Sequence, residues 1–184
     1  MTTAPLAPPF VGEPYERPAE PVLTFTLLGL PISQGSKSFK GISRSGRAIL
    51  VESSKALKPW RAMVQTAITA AMRNTPTPAA GWPLLGPLAV DLCFTMRKPV
   101  SAPKGRRTWP IVYPDLDKLC RAVFDVGKLI QPTPLWHDDS QVVDLHAWKV
   151  YPLETPRALR APGLTAAVYL IDQPRPAGEQ AALL

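Results

Sequence analysis

The sequence predicts a small mixed α/β domain of the α+β kind, one sheet-based core with two helices. Three observations predict it. Five short segments read as strands, two of them, 22–28 and 88–96, by strict apolar/polar alternation. Two longer segments between them repeat apolar residues at helical spacing. The chain, 184 residues of which 46% are hydrophobic, is about one domain long and has the apolar side chains for one core. The predicted order is β-β-α-β-α-β-β within residues 21–172.

The elements follow in chain order. Residues 1–20 hold Pro5, Pro8, Pro9, Pro14 and Pro18 and no apolar periodicity, the composition of a disordered arm. In 22–28, Leu23, Phe25 and Leu27 alternate with Thr24 and Thr26, a half-buried strand ended by Gly29-Leu30-Pro31. A second strand over 47–51 is expected to pair with the first across a basic Gly/Ser-rich loop, 34–46. Ser53 or Ser54 is placed to cap a helix over 55–73, with Leu57, Trp60, Met63, Val64, Ala67, Ile68 and Ala71 on its apolar stripe. After the Pro/Gly loop 75–87, Leu88, Val90, Leu92, Phe94 and Met96 face one way and Asp91 and Thr95 the other. A basic loop over 97–113 leads to Pro114, which opens a helix over 115–126. Leu116, Leu119, Cys120 and Val123 face its core side, and Asp117 and Arg121, one turn apart, the opposite side. Gly127 is expected to end that helix, with Ile130 the furthest it runs. A Pro-rich turn precedes strands over 142–151 and 164–171, and 173–184 is a flexible tail.

Charge divides along the chain. The total is 21 Lys+Arg against 14 Asp+Glu, a formal net charge of +7. Residues 34–113 carry thirteen of the basic residues and two acids, Glu52 and Asp91, whereas 114–144 carries six Asp against Lys118, Arg121 and Lys128. A basic surface beside a compact acidic segment suits a nuclease, with cations to hold phosphates and carboxylates to hold metal. No charged leader precedes an apolar stretch, and no apolar run approaches the roughly 20 residues that span a bilayer, which leads us to expect a soluble cytoplasmic protein. Cys93 and Cys120 are isolated in apolar surroundings and have no zinc-ligand spacing with His137 or His146, so they read as reduced core thiols.

Chemistry concentrates in two acidic pairs, Asp115-Leu116-Asp117 at the mouth of the second helix and Asp138-Asp139 before a strand. Carboxylate oxygens suit Mg²⁺, which keeps several waters and shares a phosphate with its substrate. Each pair also has a bland reading: Asp115 as a helix N-cap with Asp117 favoured by the helix dipole, and Asp138-Asp139 as a solvated turn. Together, beside the basic loop, they point to a metal site. Trp109, Trp136 and Trp148 could stack on bases but read as partly buried core. Gly29 to Lys37 lacks P-loop spacing, and the Asp-x-Asp pattern of nucleotide-sugar transferases has no nucleotide-binding fold around it here.

The run Pro114-Asp115-Leu116-Asp117-Lys118-Leu119-Cys120-Arg121-Ala122-Val123-Phe124-Asp125, followed by Asp138-Asp139-Ser140-Gln141-Val142-Val143, resembles the RusA-type Holliday junction resolvases. The resemblance extends over roughly 25–171, since the opening strand and Gln34-Gly35-Ser36-Lys37 are similar to the family's DNA-contacting segment. It implies a Mg²⁺-dependent endodeoxyribonuclease, with Mn²⁺ as a substitute, that resolves four-way junctions by paired nicks. Asp115, Asp117 and Asp139 are the implied metal-binding catalytic carboxylates. Arg121 stands where the family has a functional Lys and Lys118 where it has Asn; an Arg keeps the charge but cannot act as a base. Gln34, Lys37, Lys40, Arg106, Arg107 and Lys118 are the expected DNA contacts. Paired cutting implies a homodimer, with the helix over 55–73 or the strand over 88–96 as its apolar contact. The family is typical of bacteria and their viruses. The rivals are a non-catalytic junction- or DNA-binding protein and a nuclease for other branched DNA such as flaps or forks.

Overall fold

The structure, a computed structural model, describes residues 17–171 except 36, 44, 47, 53, 79–80, 104 and 129–133. The expected tail and all but the last residues of the expected arm lie outside these residues. Among the described residues six strands and two helices run in the order β1 (Leu23–Leu28), β2 (Lys37–Ile42), β3 (Ala48–Glu52), α1 (Leu57–Asn74), β4 (Leu88–Thr95), α2 (Leu116–Gly127), β5 (Val142–Val150) and β6 (Gly163–Leu170). A single 3-10 turn, Asp139–Gln141, leads into β5.

Four strands form one sheet in the order β1-β6-β4-β5. β4 runs antiparallel to β6 and parallel to β5, and β6 runs antiparallel to β1. A parallel pair needs a crossover, and α2 provides it, so β4, α2 and β5 make a βαβ unit. Alternation decides the layers. Leu23, Phe25 and Leu27 of β1, Val90, Leu92 and Phe94 of β4, and Leu164, Ala166 and Val168 of β6 are buried against Trp60, Val64 and Ile68 of α1 and Leu119 and Val123 of α2. Each fully buried aliphatic side chain contributes roughly 1.5–3 kcal/mol, so this single helix-on-sheet layer supplies most of the stabilisation. Arg61 and Asp125, 2.5 Å apart, join α1 to α2. Both cysteines are buried and free.

The other face of the sheet is crossed by the first described residue. Arg17, which the sequence assigned to the arm, meets Asp91 at 2.7 Å and Asp144 at 3.2 Å and lies over the Tyr169 ring.

The mixed α+β class stands, and three expectations are corrected. The strand near residue 48 pairs not with β1 but with β2, inside the stretch read as loop, and the two form a separate two-stranded sheet. β2 is short, basic and interrupted at Gly41, so no alternation marks it; local antiparallel pairing suffices to form it. The order gains a strand, β-β-β-α-β-α-β-β. Helix α1 starts at Leu57 rather than 55, and its N-cap is Ala56 without a side-chain hydrogen bond, so Ser54 does not cap it; Ser53 lies outside the described residues. Gly127 ends α2 as expected, as its last residue, though without a left-handed turn, and a Cβ there would stand 2.3 Å from the Trp136 ring. Finally, β4 is the buried centre of the sheet and the apolar stripe of α1 covers the core, so neither offers a free apolar contact apart from Met63, 42% exposed.

Candidate metal and nucleic-acid site

The first acidic pair sits where the βαβ unit turns from loop to helix. Asp115 is the N-cap of α2, but its side chain makes no capping bond and turns instead to the Lys118 ammonium, 2.7 Å away. That hydrogen bond and charge hold the Asp115 carboxyl below the usual carboxylate range and raise Lys118. Asp117, in the first turn, and Arg121, one turn on, are both exposed, and among the described residues neither enters an ion pair. Three hydrogen bonds to backbone carbonyls fix the turn. Lys149, near the end of β5, donates from Nζ to the carbonyls of Val112 (2.9 Å) and Pro114 (2.8 Å). The Gln34 amide donates to the Lys118 carbonyl at 3.0 Å. Gln34 is thereby brought beside the acidic turn, and its own Oε1 is buried without a hydrogen-bond partner.

The second pair divides its labour. Asp138 is a cap: its carboxylate accepts from the Ser140 amide at 2.9 Å, which holds it below the usual range. Gln141 closes the capping box, accepting from the amides of His137 and Asp138 and donating from Nε2 to the carbonyls of Leu84 and Gly86. The bland reading therefore holds for Asp138. Asp139 is left out of the cap and faces Lys128, whose Nζ is 2.8 Å from its Oδ1 and raised by that bond.

The two pairs do not meet within one chain. Asp115 and Asp117 open α2 beside the end of β5, whereas Lys128 and Asp139 lie past its last turn, before the start of β5. A helix of twelve residues is about 18 Å long, so the crossover itself separates them. Among the described residues no group of three or more His, Cys, Asp or Glu side chains is placed to hold one metal ion. The donor chemistry, carboxylates alone, fits a hard divalent cation; the three-carboxylate arrangement in a single chain does not.

The expected DNA contacts spread over two elements and a loop. Lys37 and Lys40 lie on β2. Arg106 and Arg107 are exposed on the loop before α2, with the Arg107 guanidinium 4.1 Å over the Trp109 ring. Two basic residues of this region serve structure: Arg61 pairs with Asp125, and Lys98 with Glu154 at 2.6 Å. The sequence reading missed Lys128 and Lys149. No spacing marks either, since each meets its partner only through the crossover.

Compared with known proteins, the chain matches the family described as Endodeoxyribonuclease RusA over residues 31–159. No curated protein matches it.

Proposed function

Because the chain belongs to the RusA family of endodeoxyribonucleases, we propose that it is a divalent-metal-dependent nuclease that resolves four-way DNA junctions by paired nicks. The observation that carries this is the acidic turn Asp115-Leu116-Asp117, exposed, pinned by Lys149 and Gln34, and lying inside the matched span. Asp115, Asp117 and Asp139 would hold the metal, Mg²⁺ with Mn²⁺ as a substitute, which supplies an activated water and neutralises charge on the phosphate. Arg121 adds a fixed cation beside Asp117 that can stabilise an anionic transition state and cannot accept a proton. Gln34, Lys37, Lys40, Arg106, Arg107 and Lys118 grip the DNA backbone. The protein works in DNA recombination and repair in a bacterial or phage-infected cytoplasm; among its described residues no helix is long and apolar enough to cross a membrane.

The site is completed between two copies of the chain. What supports this is the βαβ topology, which sets Asp139 and the Asp115–Asp117 turn at opposite ends of β5. β5 is also an edge strand, with Val143 and Leu145 of its chain 64% and 40% exposed. Antiparallel pairing of two such edges about a twofold axis lays the start of one β5 against the end of the other, and so sets Asp139 of one copy at the turn of the other. Such pairing also covers an edge that would otherwise promote aggregation.

A gel assay on a synthetic mobile four-way junction tests the activity. Symmetric nicked products with Mg²⁺ and none with EDTA are expected. One observation favours the non-catalytic rival, the ion pair that already neutralises Asp115 with Lys118. An intact junction that is bound but uncut at all Mg²⁺ concentrations decides for that rival, and preferential cutting of flaps in competition decides for a different branched substrate.

A further inference from the structure

On the sheet face away from the helices, two adjoining cavities of about 330 and 350 Å³ share Cys93, Trp148, Pro156 and Arg157 as walls. Two of the tryptophans read as core from sequence border the first. Trp109 is 54% exposed and Trp148, on β5, is half-buried, whereas Trp136 is the one of the three that is fully buried. Each of the two carries an arginine on its ring: Arg107 lies 4.1 Å from the Trp109 centroid and Arg157 4.6 Å from that of Trp148. Thr155 lines the same cavity, and its hydroxyl is buried with no hydrogen-bond partner. Asp91, 3.5 Å from Arg157, offsets one of the two cations and leaves the rim net positive.

We propose that this cavity seats one unstacked nucleotide of the DNA substrate, its base stacked on the arginine–tryptophan pairs and its phosphate held by the guanidinium groups. The proposal deepens the nuclease reading and rests on it. Aromatic and guanidinium planes stack on any base because every base has a flat π face, and the guanidinium fork matches a phosphate. A volume at the lower end of ligand pockets suits a single nucleotide rather than a strand. A paired duplex hides its base faces, whereas a branch point frees them at small cost. Trp109 stands six residues before Asp115 on the same loop, so that loop links the cavity to the acidic turn. The Thr155 hydroxyl is then available to a polar edge of the base.

Equilibrium binding of the full chain in EDTA tests this, with a short oligothymidine and a fully paired duplex of the same length as probes. Trp109→Leu and Trp148→Leu should each weaken oligothymidine binding about tenfold and leave duplex binding unchanged, while Trp148→Phe retains most of the affinity. An equal loss on both probes, no loss on either, or no binding of oligothymidine by the native chain overturns the proposal. Should Trp148→Leu fail to fold, the exposed Trp109 decides alone. Trp148 shielded from acrylamide in the DNA-free protein would mean that a segment of the chain fills the cavity, which also overturns it. Since binding is read without metal, failure to cut a junction defeats the nuclease reading and leaves these affinities untouched.

Discussion

Asp139 and its neighbour Asp138 are adjacent in sequence and opposite in role, because the backbone spends one carboxylate on a cap and leaves the other to Lys128. Asp139→Asn should therefore abolish junction cleavage, with binding equal to or tighter than the native protein's, since it removes the proposed metal ligand and a negative charge. Cleavage gels and anisotropy on the same preparation check it, and cutting above a few per cent of the native rate would remove Asp139 from the site. A second residue acts on the loop that bears Arg107 and Trp109. Glu154 accepts from Lys98 Nζ at 2.6 Å and from the Thr108 amide at 3.1 Å, and the Lys98 bond holds its carboxyl below the ordinary 4.5. A folded-state value depressed in this way adds stability above the ordinary value that is lost as pH falls through the folded one. The Tm difference between the native protein and Glu154→Gln should thus be constant from neutral pH to about 4.5 and shrink below it. A difference that grows on acidification would reverse the sign assigned to the pair. The Glu154 role is not legible in sequence, since Glu154 meets Lys98 and Thr108 only once β4 and β5 lie side by side.

Elements announce themselves in sequence when one face is buried. β1 and β4 alternate, and α1 and α2 repeat at helical spacing, because each must cover the same core, and these four stand where the spacing put them. β2 left no such signal, because Lys37-Ser38-Phe39-Lys40-Gly41-Ile42 does not alternate and pairs only with β3, in a sheet separate from the four-stranded one. The end of α2 shows a subtler ambiguity. A glycine after the last apolar residue reads as a left-handed cap, but the demand on Gly127 comes from outside the helix, where the Trp136 ring, 1% exposed, occupies the space a Cβ needs. Gly127→Ala must push that indole off a packed site, a cost of roughly 1–3 kcal/mol. A drop in Tm is expected, together with reduced cleavage, since Asp139 follows Trp136 by three residues. If the change left Tm unaltered, Trp136 would have room to move and the close approach would carry no constraint.

At the scale of the molecule, the sequence motif and the folded chain point in different directions, and topology explains why. Two acidic pairs about twenty residues apart read as one site, yet the segment between them is the crossover helix of a parallel strand pair, which must carry the chain from one end of the sheet to the other. In the proposed reading one chain would hold two half-sites, and the edge strand β5 is where a second copy would join them. Mixing two dead variants tests this more sharply than mass does. In a heterodimer of Asp117→Asn and Asp139→Asn chains, one composite site collects both lesions and the other collects none, so one strand of the junction should be nicked. If each chain housed a whole site, both sites would carry a lesion and no nick would form. Native chains mixed with Asp117→Asn should likewise give heterodimers that cut one strand only. Sedimentation should show a dimer of the 20.0 kDa chain without DNA, and Val143→Glu with Leu145→Glu, which sets charges on the pairing edge, should yield folded monomers that bind DNA and do not cut it. A monomer that still makes paired cuts, or a variant pair that never complements, would return all three carboxylates to a single chain.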